Sequence, residues 1–237
     1  MEIAQLEQMA SLIGEPTRAK ILWSLLDGKA YTATELSIMA GATPQNASMH
    51  LGKLVQANLL KVDSQGRHRY YSFARDEVAY AIEGMANLIP AVGSKQTNRT
   101  KDIPIRYCRS CYDHLAGKVG VLLSESLLKY NYIKMVEDRY EITEAGWGWL
   151  SYLEIDTPAL HKIRRPLVKP CLDWSERRYH ISGALGAVLL SYMLEKDWVR
   201  RISNSREILI TSKGRSNLYD LLALSLKSFP NLADLTY

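Results

Sequence analysis

The residue types best suited to chemistry in this chain are three cysteines and two histidines: Cys108-x-x-Cys111-x-x-His114, followed by Cys171 and His180. Thiolates and imidazole nitrogens are ligands for soft and borderline metals, so Cys108 and Cys111 beside His114, completed by Cys171 or His180, form a candidate site. Three thiolates would suit a thiophilic metal or metalloid ion, and a proximal Cys108/Cys111 pair would suit a redox switch. The competing reading makes these cysteines small buried hydrophobes at helix starts, with Asp113 and Asp173 as caps. Tyr112 and Asp113 separate the thiols from His114, which excludes the c-type haem pattern, and no second Cys-x-x-Cys completes a zinc ribbon. Sensing and packing both stay open at this point.

A second group has the chemistry of nucleic-acid contact. Thr43-Pro44 is a helix-start signal, and Ala47, Leu51, Leu54 and Val55 follow at helical spacing and should face inward. Gln45, Asn46, Ser48, Met49, His50 and Lys53 are left for the outer flank. Amide side chains pair with adenine edges, while Ser and Lys reach phosphates. Next comes a basic hairpin, Val62 to Tyr71, centred on Gly66, with Arg67 and Arg69 placed to lie along a phosphate ridge or enter a minor groove. Tyr70 and Tyr71 are expected to pack this wing on the body. A solvated helix face is the bland reading of the polar flank. The order of parts, a groove-sized helix followed by a charged wing, favours DNA contact.

The elements that must hold these residues are mostly helical. One helix over about 2–13 carries Ile3, Leu6, Met9, Ala10 and Ile13 on one face, and Gly14 ends it. Pro16 opens a second helix, with Ile21, Leu22, Leu25 and Leu26 as its core stripe and Asp27-Gly28 as its stop. Thr32 or Thr34 caps a third through Met39, and Gly41-Ala42 makes the turn into the outward-facing helix. A further helix over about 75–90 places Val78, Ile82, Met85 and Ile89 together. With the first helix it gives two apolar flanks, the physical basis for expecting a homodimer.

Composition sets the class. The 237 residues are 47% apolar and 23% charged, enough for a sizeable core. Net charge is +5, but residues 1–74 hold seven Lys/Arg against six Asp/Glu, so local placement matters more than bulk charge. No N-terminal stretch has signal-peptide form, and the apolar run 184–194 is shorter than the ~20 residues a bilayer needs. An odd, low cysteine count predicts reduced thiols in the cytoplasm. No phosphate-binding glycine loop, nucleophile elbow or His-Glu-x-x-His helix is present, so the chain is not expected to be an enzyme.

With Gly14-Glu15-Pro16-Thr17-Arg18, the Ala42–Leu54 stretch containing Ser48-x-His50-Leu51-x-x-Leu54, and the Gly66-Arg67 wing ending in Tyr70-Tyr71, residues 1–90 resemble the ArsR/SmtB family of bacterial repressors. The resemblance implies a winged helix-turn-helix that binds operator DNA as a homodimer. Neither familiar metal site of that family carries over. The third helix, Thr34 to Met39, has no thiol, and Asp76 to Leu88 has acids but no His.

Residues 91–106 are polar and broken by Gly and Pro, and they read as a linker. Residues 107–237 read as an effector or assembly domain that is internally duplicated. Cys111-x-Asp113 is echoed by Cys171-x-Asp173, and His114-x-x-Gly117-x-x-Gly120 by His180-x-x-Gly183-x-x-Gly186. The offsets of 60 and 66 place about six extra residues, 174–179, in the second copy. Each copy is expected to be a long helix, a hairpin and a closing helix, with the glycine pairs letting helix backbones approach. This half is similar to the C-terminal extension of the longer ArsR-like regulators.

The expected fold is therefore mainly α with small β-wings: an N-terminal winged helix-turn-helix plus a C-terminal domain of two winged-helix-like repeats. The expected function is sequence-specific transcription regulation, as a repressor, with effector or thiol sensing in the second half. The alternatives are a thiol-disulfide redox protein using Cys108/Cys111 and a winged-helix protein-interaction module. Operator DNA, a second copy and an effector of open identity are the expected partners, with no membrane.

Overall fold

The computed structural model describes residues 3–88, 104–203 and 205–226. The fold divides into two compact units, residues 1–90 and 91–237. Most of the stretch read as a linker, and Ile89 of the expected dimer face, lie outside the described residues.

In the first unit the local signals decide the elements. Helix α1 is Ile3–Gly14. Glu15 then caps α2 (Pro16–Ser24), its carboxylate accepting from the Thr17 and Arg18 N–H groups. A 3₁₀ turn, Leu25–Asp27, ends at Gly28 with φ 78°, the left-handed conformation that favours glycine. Strand β1 is only Tyr31–Thr32. Thr32 and Glu35 form a reciprocal capping box on α3 (Ala33–Ala40). Thr43 caps α4 (Pro44–Gln56), its hydroxyl accepting from the Asn46 N–H at 3.3 Å. The wing is β2 (Leu60–Gln65) and β3 (His68–Phe73), closed by the two-residue loop Gly66-Arg67 with Gly66 at φ 59°. Helix α5 (Asp76–Met85) continues as a 3₁₀ turn to Leu88.

Ile21, Leu22, Leu25, Leu26, Leu36, Ala47, Leu51 and Leu54 are fully buried and make the core of this unit. Tyr71 is buried against the body as expected, and Tyr70 is half-buried. The sequence reading missed β1. It pairs Tyr31 with Tyr71 and Thr32 with Tyr70, giving a three-stranded sheet in the order β1-β3-β2. Two residues are too few to display alternation, and Thr32 reads only as a cap.

The second unit repeats one pattern twice. After α6 (Pro104–Tyr107) come β4 (Arg109–Cys111), β5 (His114–Ala116), α7 (Gly117–Lys129), β6 (Ile133–Val136), β7 (Arg139–Ile142) and α8 (Glu144–Tyr152). Helix α9 (Thr157–His161) leads to β8 (Lys169–Leu172), β9 (Tyr179–Ser182), α10 (Gly183–Glu195), β10 (Val199–Arg201), β11 (Ile208–Ile210) and α11 (Ser212–Leu222). Each repeat is thus hairpin, helix, hairpin, helix. The leading hairpins β4-β5 and β8-β9 are a correction: their strands are short, and the apolar helices after them dominate the periodicity. The two repeats share one core, in which Val119, Leu123 and Leu127 of α7 join Leu185, Leu189 and Met193 of α10.

Two smaller expectations also change. Cys111 and Cys171 sit on strands and Cys108 on the bend before β4, not at helix starts. Ala116 and Ser182 are the residues before α7 and α10, and neither caps through its side chain. On α8, Trp149 is buried and stacks on Tyr132 and Trp147 stacks on His161, whereas Tyr152 is exposed.

Candidate nucleic-acid interface and a buried cysteine-histidine cluster

Helix α4 is divided lengthwise. Ala47, Leu51 and Leu54 are wholly buried, while Gln45, Ser48, Met49 and Lys53 are exposed and Asn46 is half-buried. Thr43 stands exposed at the helix start, and Arg67 and Arg69 are exposed on the wing. Lys61 is held against Asp63 at 3.5 Å, so Arg67 and Arg69 are the better phosphate ligands of the wing.

His50 does not belong to this surface. It is 6% exposed, and its Nδ1 lies 3.1 Å from Arg18 Nη1 and 3.3 Å from Glu15 Oε2. Nδ1 thus faces a guanidinium and a carboxylate at once, and the imidazole ties α4 to the start of α2. Burial works against the Glu15 carboxylate, but the Thr17 and Arg18 amides and His50 together hold its pKa below the ordinary value. Arg18 also donates to the Ser11 carbonyl at 3.1 Å, which anchors the end of α1. Position 50 follows Met49 and Ser48 with no gap in polarity, so sequence alone places it on the outer flank. The missed signal is its partners, Glu15 and Arg18, 32 or more residues earlier. His50→Ala is expected to lower the stability of the first unit by about 1–3 kcal/mol by removing the imidazole that faces Arg18 Nη1 and Glu15 between α4 and α2, and to leave the preferred duplex sequence unchanged. Chemical denaturation followed by a binding-site selection checks both.

In the second unit, four of the five candidate ligands converge. Cys111, His114, Cys171 and His180 present ligand atoms that all lie within 4.8 Å of one another. Strand register explains the convergence: Cys111 pairs with His114 across β4-β5, and Cys171 pairs with His180 across β8-β9. The two hairpins then meet, with His114 Nε2 3.1 Å from His180 Nε2. All but the half-buried Cys171 are buried.

Cys108 is the exception. It lies on the bend between α6 and β4, outside the hairpin that carries Cys111, and is not among the four converging ligands. Its sulfur packs in the apolar core. Burial pushes its thiol well above the usual range despite neighbouring Arg109. This corrects both the Cys108/Cys111 redox pair and the three-thiolate metalloid site.

Each imidazole is backed by a carboxylate and each carboxylate by an arginine. His114 Nδ1 lies 3.2 Å from Asp113 Oδ1, and Arg165 donates to Asp113 Oδ2. His180 Nδ1 approaches Asp173 Oδ2 at 3.3 Å, a charge contact off hydrogen-bond alignment, and Arg109 Nη2 donates to the same oxygen at 2.9 Å. The arginines are exchanged between repeats: Asp113 of the first is held from just before β8, Asp173 of the second from β4. Burial opposes ionisation of both carboxylates, yet His114 with Arg165, and His180 with Arg109, hold them below the ordinary range. Burial likewise opposes charge on the imidazoles. Cys111 and Asp113 outweigh it at His114, and Asp173 and Cys111 raise His180 to about 9.

Asp173 does more than hold His180. Its Oδ2 also accepts from the Gly117 N–H of α7 at 2.7 Å, so it caps a helix of the opposite repeat. Its Oδ1 accepts from the Ser175 and Glu176 N–H groups at 2.9 and 3.1 Å, folding the inserted loop. The glycine pairs have a different use from close helix approach. A Cβ on Gly186 would stand 2.9 Å from the Cβ of His114, so its absence admits the partner repeat's imidazole strand. Gly117 and Gly183 have φ 75° and 81°, as a sharp strand-to-helix turn requires.

Comparison with known proteins now bears on this surface and cluster. A family model for a helix-turn-helix domain matches residues 13–63. The HTH-type transcriptional regulator YdfF of Bacillus subtilis is 41% identical over 209 residues, covering 88% of this chain and 92% of the relative. The HTH-type transcriptional regulator CmtR of Mycobacterium tuberculosis is 31% identical over 96 residues, 40% of this chain and 80% of the relative. A solved structure of CmtR, described as a cadmium metal sensor, aligns at TM-score 0.32 and 32% identity over 38% of this chain and 93% of its own. The identity to YdfF extends through both units, and the chain belongs to the HTH-type transcriptional regulators.

Proposed function

We propose that the chain is a sequence-specific repressor that binds operator DNA as a homodimer in the cytoplasm, with operator affinity set by an effector bound in its C-terminal half. The observation that carries this reading is the division of α4: one face is wholly buried, and the other offers Gln45, Asn46, Ser48, Met49 and Lys53 beside Arg67 and Arg69. Those side chains match base-edge and phosphate chemistry. Among the described residues no helix is long and apolar enough to cross a membrane. A panel of duplexes tests the reading by gel shift. One duplex bound at least 1,000-fold tighter than bulk DNA is expected for a specific regulator, and uniform affinity would overturn it.

Support for the homodimer comes from α1. None of its residues is buried, with Ile3 73% and Leu6 52% exposed. At the other end of the unit Met85 and Leu88 are also exposed. Val78 and Ile82 of the expected dimer face are buried in the unit's own core, so the open apolar face of α1, with Met85 and Leu88, is what fits pairing with a second copy over two half-sites. Leu6→Glu is expected to sediment as a monomer at concentrations where the parent is dimeric. Its operator affinity should fall on the order of 100-fold, because the two half-sites are no longer joined.

An effector in the second half acts only if it prefers one of two states of the protein, and it then shifts operator affinity by that preference. The redox-protein alternative is weakened, since Cys108 packs in the apolar core and is not part of the group that holds Cys111.

A further inference from the structure

The geometry points to a single divalent d-block ion of the zinc class, bound by Cys111 and Cys171 through sulfur and by His114 and His180 through Nε2. As the identity of the effector, this rests on the regulator reading; as a binding site, it stands on the cluster alone.

The first argument is orientation. Asp113 and Asp173 lie 3.2 and 3.3 Å from Nδ1 of His114 and His180, so the carboxylates back the outer nitrogens and Nε2 of each ring faces inward. The two Nε2 atoms face each other across 3.1 Å, a separation that a proton can bridge and that a metal ion bound by both nitrogens would take over. The separation is close to the ~3.3 Å edge of a tetrahedron built with metal–nitrogen bonds of about 2.0–2.1 Å. The two sulfurs lie in the same group, all within 4.8 Å.

The second argument is charge. Two thiolates, two neutral imidazoles and a divalent cation sum to zero, which suits a site with three of its four ligands buried. Outside the ligands, Asp113 is matched by Arg165 and Asp173 by Arg109, so this layer is neutral as well. Carboxylate–histidine–metal relays of this kind fix the ring and raise its basicity.

The third argument is selectivity. Four protein ligands in an S₂N₂ set close a tetrahedral site and disfavour calcium and magnesium, which take oxygen. With Cys108 turned away, a trivalent metalloid would have only two thiolates. Binding proceeds by loss to solvent of the thiol protons of Cys111 and Cys171, and of any proton held on the two Nε2 atoms, as the ion's water ligands leave. No oxidant is needed.

Cobalt(II) is the probe, added to chelator-treated full-length protein. One equivalent per chain is expected, with the strong visible ligand-field absorption of tetrahedral cobalt and a sulfur-to-metal charge-transfer band, both displaced by Zn²⁺. Cys171→Ser, at the half-buried position, should weaken binding at least 100-fold and lose part of the charge-transfer intensity, and Cys108→Ser should leave stoichiometry and spectrum unchanged. Far-ultraviolet circular dichroism confirms that each variant is folded. The proposal is overturned if folded parent protein takes up no cobalt, if it yields only a Cys111–Cys171 disulfide, or if Cys171→Ser binds like the parent. Operator binding is scored on the same samples: a tetrahedral cobalt site without operator binding sinks the regulator reading alone, and operator binding without the site sinks the ion alone.

Discussion

Asp173→Ala is expected to destabilise the C-terminal unit by about 3–5 kcal/mol, the cost of leaving a buried charge without its partner. The Asp173 side chain is wholly buried, as is that of Arg109, whose guanidinium it holds at 2.9 Å. Removing it also strips Gly117 N–H of its cap and releases the loop through Ser175 and Glu176. The loss corresponds to a melting point lower by roughly 10 °C for a unit of this size. Tryptophan fluorescence reports it directly, because four of the five tryptophans (147, 149, 174 and 198) lie in that unit. Asp113→Ala is the control: its carboxylate is 26% exposed and faces Arg165, which is 22% exposed, so its loss should be the smaller. Equal melting of Asp173→Ala and parent would show that the cross-repeat network does not hold the unit together.

The second large effect is on DNA. Replacing Gln45, Asn46 and Ser48 together with alanine is expected to reduce specific operator affinity by 100-fold or more, from about 1–3 kcal/mol per base-reading side chain. Affinity for bulk DNA should hardly change. Replacing Arg67 and Arg69 with alanine should do the reverse, weakening all duplexes alike and reducing the slope of log affinity against log salt by about 2. The two signatures separate base reading from phosphate contact within one salt titration. A triple variant that loses bulk and specific binding equally would move α4 out of the groove.

Much of this was legible in the residues because local rules decided it. Pro16, Thr43-Pro44 and Gly66 fix backbone conformations that tertiary context does not override, and the Ala47/Leu51/Leu54 stripe orients α4 by period alone. The duplication was legible too, since the Cys-x-Asp and His-x-x-Gly echoes preserve spacing. What was not legible depends on partners far along the chain. His50 looks like any polar flank residue until Glu15 and Arg18 arrive beside it. Cys108 looks like the mate of Cys111 until β4 carries Cys111 to the histidine pair and leaves Cys108 on the bend before it. Asp173 reads as a local cap, yet its most consequential bonds run to Arg109 and Gly117, more than 50 residues away. Short hairpins fail for a related reason: three residues of strand give no usable alternation, and pairing defines them only in the fold.

The three thiols occupy three grades of solvent access: Cys171 is half-buried, Cys111 lies at the imidazole pair with no exposed surface, and Cys108 is sealed among aliphatic side chains. Reaction with a small alkylating reagent should therefore proceed as a sequence. Cys171 is labelled on the native protein, Cys111 follows only as the two hairpins breathe apart, and Cys108 is labelled only when the whole unit opens. Counting labels against time thus yields a local, a sub-global and a global opening rate from one chain.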